Sequence, residues 1–136
     1  MEEIEKERLL RGYPTLWEGG TFLSFLTRLV DTDLAKELVA KTGRYNDFDP
    51  EKVKATMDRL RGKISGYYLG RESSPVIYVI LPYWTHQREY SKEVEGKRIS
   101  DAERTSLKKE VIEEFEKAKA DECWQDTDER IRARWD

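Results

Sequence analysis

DPEKVKATMDRLRG at 49–62, KISGYYLG at 63–70 and SPVIYVILPYW at 74–84 together decide the fold. The first segment reads as a capped helix. Asp49 suits the N-cap, Pro50 the first helical position and Glu51 the positive end of the helix dipole. Val53, Met57 and Leu60 follow at i, i+4 and i+7, so one face is buried, and Gly62 ends the helix. The next two segments read as strands over 64–69 and 76–84. The link at 70–75 holds Gly, Ser and Pro and fits a hairpin loop. The second strand is apolar without alternation, which predicts burial on both faces.

Upstream, residues 2–11 alternate charges around Ile4, Leu9 and Leu10 and predict a short, lightly docked helix. Gly12, Pro14, Gly19 and Gly20 punctuate a loop. Thr21 can cap a helix running to about Val30. Phe22, Leu23, Phe25, Leu26 and Leu29 leave it almost no polar face, which predicts a core helix. Asp31 or Thr32 caps a further helix, DLAKELVAKTG, whose stripe is Leu34, Ala35, Leu38 and Val39 and whose stop is Gly43.

Downstream, residues 90–99 could add a charged third strand or a second hairpin turning at Glu95 and Gly96. Ser100 with Glu103 is a capping-box pair. It opens a long helix expected over 100–124, with Leu107, Val111, Ile112, Phe115, Ala118 and Cys123 on one face. The tail, QDTDERIRARWD, is expected to continue as helix. The chain is therefore expected to be a single α+β domain, mostly helical. Its N-terminal helices lead to a small antiparallel hairpin or three-stranded sheet, covered by the long C-terminal helix.

At 136 residues the chain has room for one core. The charged fraction of 39% is well above the roughly 25% usual for globular chains. Fifteen aromatics (4 Trp, 7 Tyr, 4 Phe) exclude a disordered polyelectrolyte. Asn46 is the only asparagine, and Gln87 and Gln125 the only glutamines; with so many Lys, Glu and Arg, this fits a thermophile composition. One cysteine, Cys123, excludes an intramolecular disulfide and a cysteine-based zinc site, and beside Trp124 it reads as a buried small hydrophobe. The N-terminus lacks the apolar segment of a signal peptide, and the longest apolar run, 75–84, is half a membrane span, so a soluble, cytoplasmic protein is expected.

Between Lys52 and Arg71 lie six basic residues, Lys52, Lys54, Arg59, Arg61, Lys63 and Arg71, and one acidic residue, Asp58, in a chain of net charge −3. A basic island on a helix and hairpin suggests a phosphate backbone as partner. The order of helix, helix, helix and hairpin over 21–84 resembles the winged helix-turn-helix superfamily. DTDLAKELVAK is similar to that family's second helix, with Ala35 where helices approach. The resemblance implies a third helix in the major groove and a hairpin wing, with the six basic residues on phosphates and Arg71 at the wing tip. Two features depart from the pattern. The turn at 43–49 is longer than the family's, and the outward face of the third helix carries Glu51, Ala55 and Asp58, which repel phosphate.

These readings make the chain a small non-enzymatic nucleic-acid-binding or regulatory protein. The alternative is a protein-interaction or structural module that uses the aromatic sheet (Tyr67, Tyr68, Tyr78, Tyr83, Trp84, Tyr90) and the long helix as its partner surface, with a homodimer through that helix. No cofactor or metal is expected. Glu95-Gly96-Lys97 resembles the E-x-K strand motif of metal-dependent nucleases, but the preceding strand lacks the required Asp. Asp47, Asp49 and Glu51 resemble a calcium loop, but Lys52 stands where the loop needs glycine. His86 is the only histidine, and no phosphate-binding glycine loop is present.

Overall fold

The computed structural model describes residues 3–4, 6–7, 29–71, 74–82, 99–127 and 129–136. Within them lie three helices, α1 (Thr32–Thr42), α2 (Pro50–Arg59) and α3 (Asp101–Lys117). The strands are β1 (Gly66–Arg71), β2 (Pro75–Ile80), β3 (Glu122–Thr127) and β4 (Arg130–Arg134). The strands form one antiparallel sheet in the order β1-β2-β4-β3, and the chain is a small α+β domain.

Each helix starts where its cap chemistry directs. Asp31 accepts the Leu34 amide at 2.9 Å, and Asp49 accepts the Glu51 amide at 3.0 Å ahead of Pro50. Ser100 and Glu103 close a reciprocal capping box, the Glu103 amide donating to Ser100 Oγ at 3.2 Å and the Ser100 amide to Glu103 Oε1 at 3.1 Å. Gly43 ends α1 with φ 82°, a conformation that costs glycine little.

The sheet's inner face carries Tyr67 and Leu69 from β1, Ile77 and Val79 from β2, and Ile131 and Ala133 from β4. Leu34 and Leu38 of α1, Val53, Met57 and Leu60 at α2, and Leu107, Val111 and Phe115 of α3 close over it. The buried stripe expected on α2 is thus present, and β2 is buried along its whole length, as its unbroken apolar run predicts. Trp135 is fully buried. Its indole N–H donates to the Ala118 carbonyl at 3.0 Å, and its ring meets Phe48 edge-on at 5.0 Å and Phe115 at 6.1 Å. One side chain thereby ties the end of α3, the turn before α2 and the last strand together.

Three expectations are corrected. The helix expected over 100–124 stops at Lys117, where Ala118 caps it and Lys119 turns the chain at φ 71°. Cys123 and Trp124 lie instead in β3. The tail expected to extend that helix is a β-hairpin, β3 with β4, and the sheet has four strands where two or three were expected. The reason is a period of two. Ile131, Ala133 and Trp135 all point into the core, and Arg130, Arg132 and Arg134 alternate with them. Finally, Val30, placed by its sequence at the end of a helix, is extended. It exchanges two hydrogen bonds with Tyr67, each of 2.9 Å, and so adds a bridge at the β1 edge. The helix over 21–28, the third strand over 90–98, Glu95, Lys97 and His86 lie outside the described residues.

Candidate interaction surfaces

Helix α2 and the turn that follows it position five of the six basic residues, and the helix register decides what its cations meet. With Val53, Met57 and Leu60 inward, the basic side chains emerge on the flanks, where α1 and α3 pass. Arg59 donates to Glu114 of α3 at 2.8 Å, and Lys63 reaches Glu110 of α3 at 2.6 Å. Arg61 contacts Asp33 of α1 at 2.8 Å and Asp58 at 3.0 Å, while Lys36 of α1 meets Asp58 at 2.9 Å. Lys54 pairs with Glu51 along its own helix at 2.8 Å. Lys52 is exposed and makes no ion pair with the described residues, and Arg71 stands where β1 turns toward β2, across from Pro75.

The island is thus a seam. Four of its six members sit against carboxylates, three of them reaching a neighbouring helix. The pairing shows in the acids. The hydrogen bond from Arg61 and its charge hold Asp33 below its ordinary pKa of 3.8, and bonds from Lys36 and then Arg61 do the same for Asp58. Glu51 and Asp58 are local to α2, but Asp33, Glu110 and Glu114 come from segments remote in sequence, so the local count of charges around α2 gave no sign of those three.

The second surface is the outer face of the sheet. The pairing register aligns Tyr68, Tyr78, Arg132 and Trp124 in one row across all four strands. The Arg132 guanidinium lies over the Trp124 ring at 5.3 Å, and that of Arg130 over Tyr78 at 4.7 Å. Glu122 receives both Arg132, at 2.9 Å, and Arg134, at 3.2 Å; Asp126 pairs with Arg130. On this face Val76, Tyr78 and Ile80 are buried, whereas Trp124 at its β3 end is 48% exposed. Of the tyrosines and tryptophan assigned to an aromatic sheet, Tyr67 faces the core and Tyr68 and Tyr78 the outer side; Tyr83, Trp84 and Tyr90 lie outside the described residues.

Trp124 is the residue that sequence reasoning missed, because the helix expected over 100–124 hid it. The alternation of Ile131, Ala133 and Trp135 with three arginines is the signal that could have found the hairpin. Cys123, beside it, is half-buried against the core, its thiol pushed up to about 12 by burial, as suits a packing residue.

Among the described residues, no cluster of His, Cys, Asp or Glu is arranged to hold a metal ion. Asp49 serves as a helix cap and Glu51 pairs with Lys54. Nor is any described helix long and apolar enough to cross a membrane. Comparisons with protein-family models, curated proteins and solved structures found no significant match to this chain.

Proposed function

We propose that this chain is a non-enzymatic protein-interaction module whose partner surface is the β3 edge of its sheet, centred on Trp124. The observation that carries the reading is exposure. β3 ends the strand order among the described residues, Trp124 to Thr127 are exposed along it, and Trp124 holds a large apolar ring in solvent. An edge strand offers main-chain hydrogen bonds to an extended partner, and an aromatic beside that edge supplies apolar area at little entropic cost. The long helix fits this module as support rather than as the contact. Leu107, Val111 and Phe115 are already spent on the chain's own core. A cytoplasmic location belongs with this reading.

Selection from a random peptide library tests it. Extended ligands are expected whose binding is lost in Trp124→Lys and kept in Lys54→Glu/Arg61→Glu. Ligands indifferent to Trp124 would overturn the assignment of the surface.

A second reading, a nucleic-acid-binding or regulatory protein of winged-helix type, draws on the exposed ends of the basic island. Arg59, Arg61 and Lys63 are 50%, 47% and 46% exposed, and Lys52 is exposed near the start of α2. Phosphates would have to displace Glu114, Asp33, Asp58 and Glu110 from these cations. The hairpin that would serve as wing lies within the sheet, β2 being paired on both sides. This reading predicts binding to a random duplex that falls steeply with salt and is abolished in Lys54→Glu/Arg61→Glu. No binding at low salt would remove it.

A further inference from the structure

We infer that residues 61–65, between α2 and β1, form a flap poised to open ahead of the rest of the fold, released by the buried hydroxyls of Ser65 and Tyr67.

The two hydroxyls stand two residues apart where the flap enters β1. Tyr67 is fully buried and Ser65 is 1% exposed, yet neither Tyr67 Oη nor Ser65 Oγ has a hydrogen-bond partner among the described residues. A buried hydroxyl without a partner forfeits the hydrogen bonds that water gives it in the open chain. The cost is comparable to the gain from burying an aliphatic side chain. Burial holds the Tyr67 phenol well above its ordinary value of 10, so it remains a protonated donor. The charges of Arg61, in the flap, and Asp58, near the end of α2, reach it.

The contacts that close the flap are modest. Arg61, Gly62 and Lys63 are exposed, and Gly62 turns the chain at φ 80°. Arg61 meets Asp33 and Asp58, and Lys63 meets Glu110, through side chains between 37% and 71% exposed. Ion pairs so open to water contribute little. Ile64, 2% exposed, is the flap's apolar anchor, and the Ser65 amide donates to the Ile80 carbonyl at 2.7 Å. Lifting the flap loses that anchor and that bond, and gives water to both hydroxyls. The opposing terms are of similar size, so the closed flap is held by a small margin. The centre of the sheet has no such release. There the Trp135 amide donates to the Pro75 carbonyl, and the buried indole N–H of the same residue is satisfied by Ala118.

Amide hydrogen exchange of the full chain, read residue by residue by NMR and referred to intrinsic rates, tests the inference with Tyr67→Phe and Ser65→Ala. In wild type the Ser65 amide is expected to exchange at least about tenfold faster than the Trp135 amide. Removing either hydroxyl is expected to slow exchange at residue 65, by about tenfold in Tyr67→Phe, because the closed flap then lacks an unpaired donor. A Ser65 amide as protected as that of Trp135 would show that the flap opens only with global unfolding, and would overturn the inference. So would a Tyr67→Phe variant that raises the denaturant midpoint but leaves Ser65 exchange unchanged, since the flap would then not be what frees the hydroxyl. Faster exchange in Tyr67→Phe would also overturn it, by showing that the hydroxyl stabilises the closed state.

Discussion

The two hairpins of this sheet are neighbours in space and opposites in sequence. In β1–β2, β2 is apolar at every position, because core lies on one side and buried Val76, Tyr78 and Ile80 on the other. In β3–β4 the same architecture is built from ECWQDT and RIRAR. There a strand is recognisable only as Ile131 and Ala133 spaced by two, with arginine stems covering the other side. The contrast teaches that burial on both faces writes a strand into composition. Burial on one face, in a heavily charged chain, writes it only into the spacing of very few residues.

The sharpest way to break this comparison is Trp135→Ala. If the second hairpin is held by its few inward residues, losing the largest of them, with its bond to Ala118 and its contacts on Phe48 and Phe115, should destabilise the fold by about 3–5 kcal/mol in urea titration. A loss near zero would mean that the hairpin is held by its charges instead.

The first hairpin has its own point of failure at Gly66. A Cβ there would stand 2.7 Å from the Val30 carbonyl oxygen and 3.0 Å from Leu29 Cγ, at the place where Val30 bridges to Tyr67. Gly66→Ala should cost about 1–3 kcal/mol, read as a lowered denaturant midpoint. An unchanged midpoint would show that the bridge is dispensable.

The helices that support β1 depend on charge in a way the sheet core does not. Asp33 and Asp58 have folded-state pKa values below the ordinary 3.8, so the unfolded chain takes up their protons first as pH falls. Their contribution to stability is present above about pH 4 and is lost as pH drops through the folded values. The acid loss should shrink in Asp58→Asn, measured by denaturant midpoints between pH 5 and pH 2. Both carboxylates are solvent-exposed, and the effect should be smaller than either core substitution.

The smallest effect has the opposite sign. Lys119 holds a left-handed conformation where α3 hands over to β3. Lys119→Gly should raise stability by about 0.5–1 kcal/mol, and a destabilised variant would show that the lysine side chain has a role at the turn.

Sequence by itself determined the helix starts, because a cap needs only its next three residues, as at Asp31, Asp49 and Ser100. It likewise determined the buried face of α2 and the burial of β2, which follow from local apolar spacing. Tertiary structure alone decided the end of α3, since no glycine marks Lys119, and the second hairpin, whose alternation has meaning only once Trp135 has a core to enter. It also decided the standing of the basic island and the exposure of Trp124. Glu114, Asp33 and Glu110, which meet Arg59, Arg61 and Lys63, come from helices tens of residues away, and a strand becomes an edge only when the whole sheet is ordered. Local free energies are legible one segment at a time, whereas electrostatic partners and edges are properties of the assembled chain.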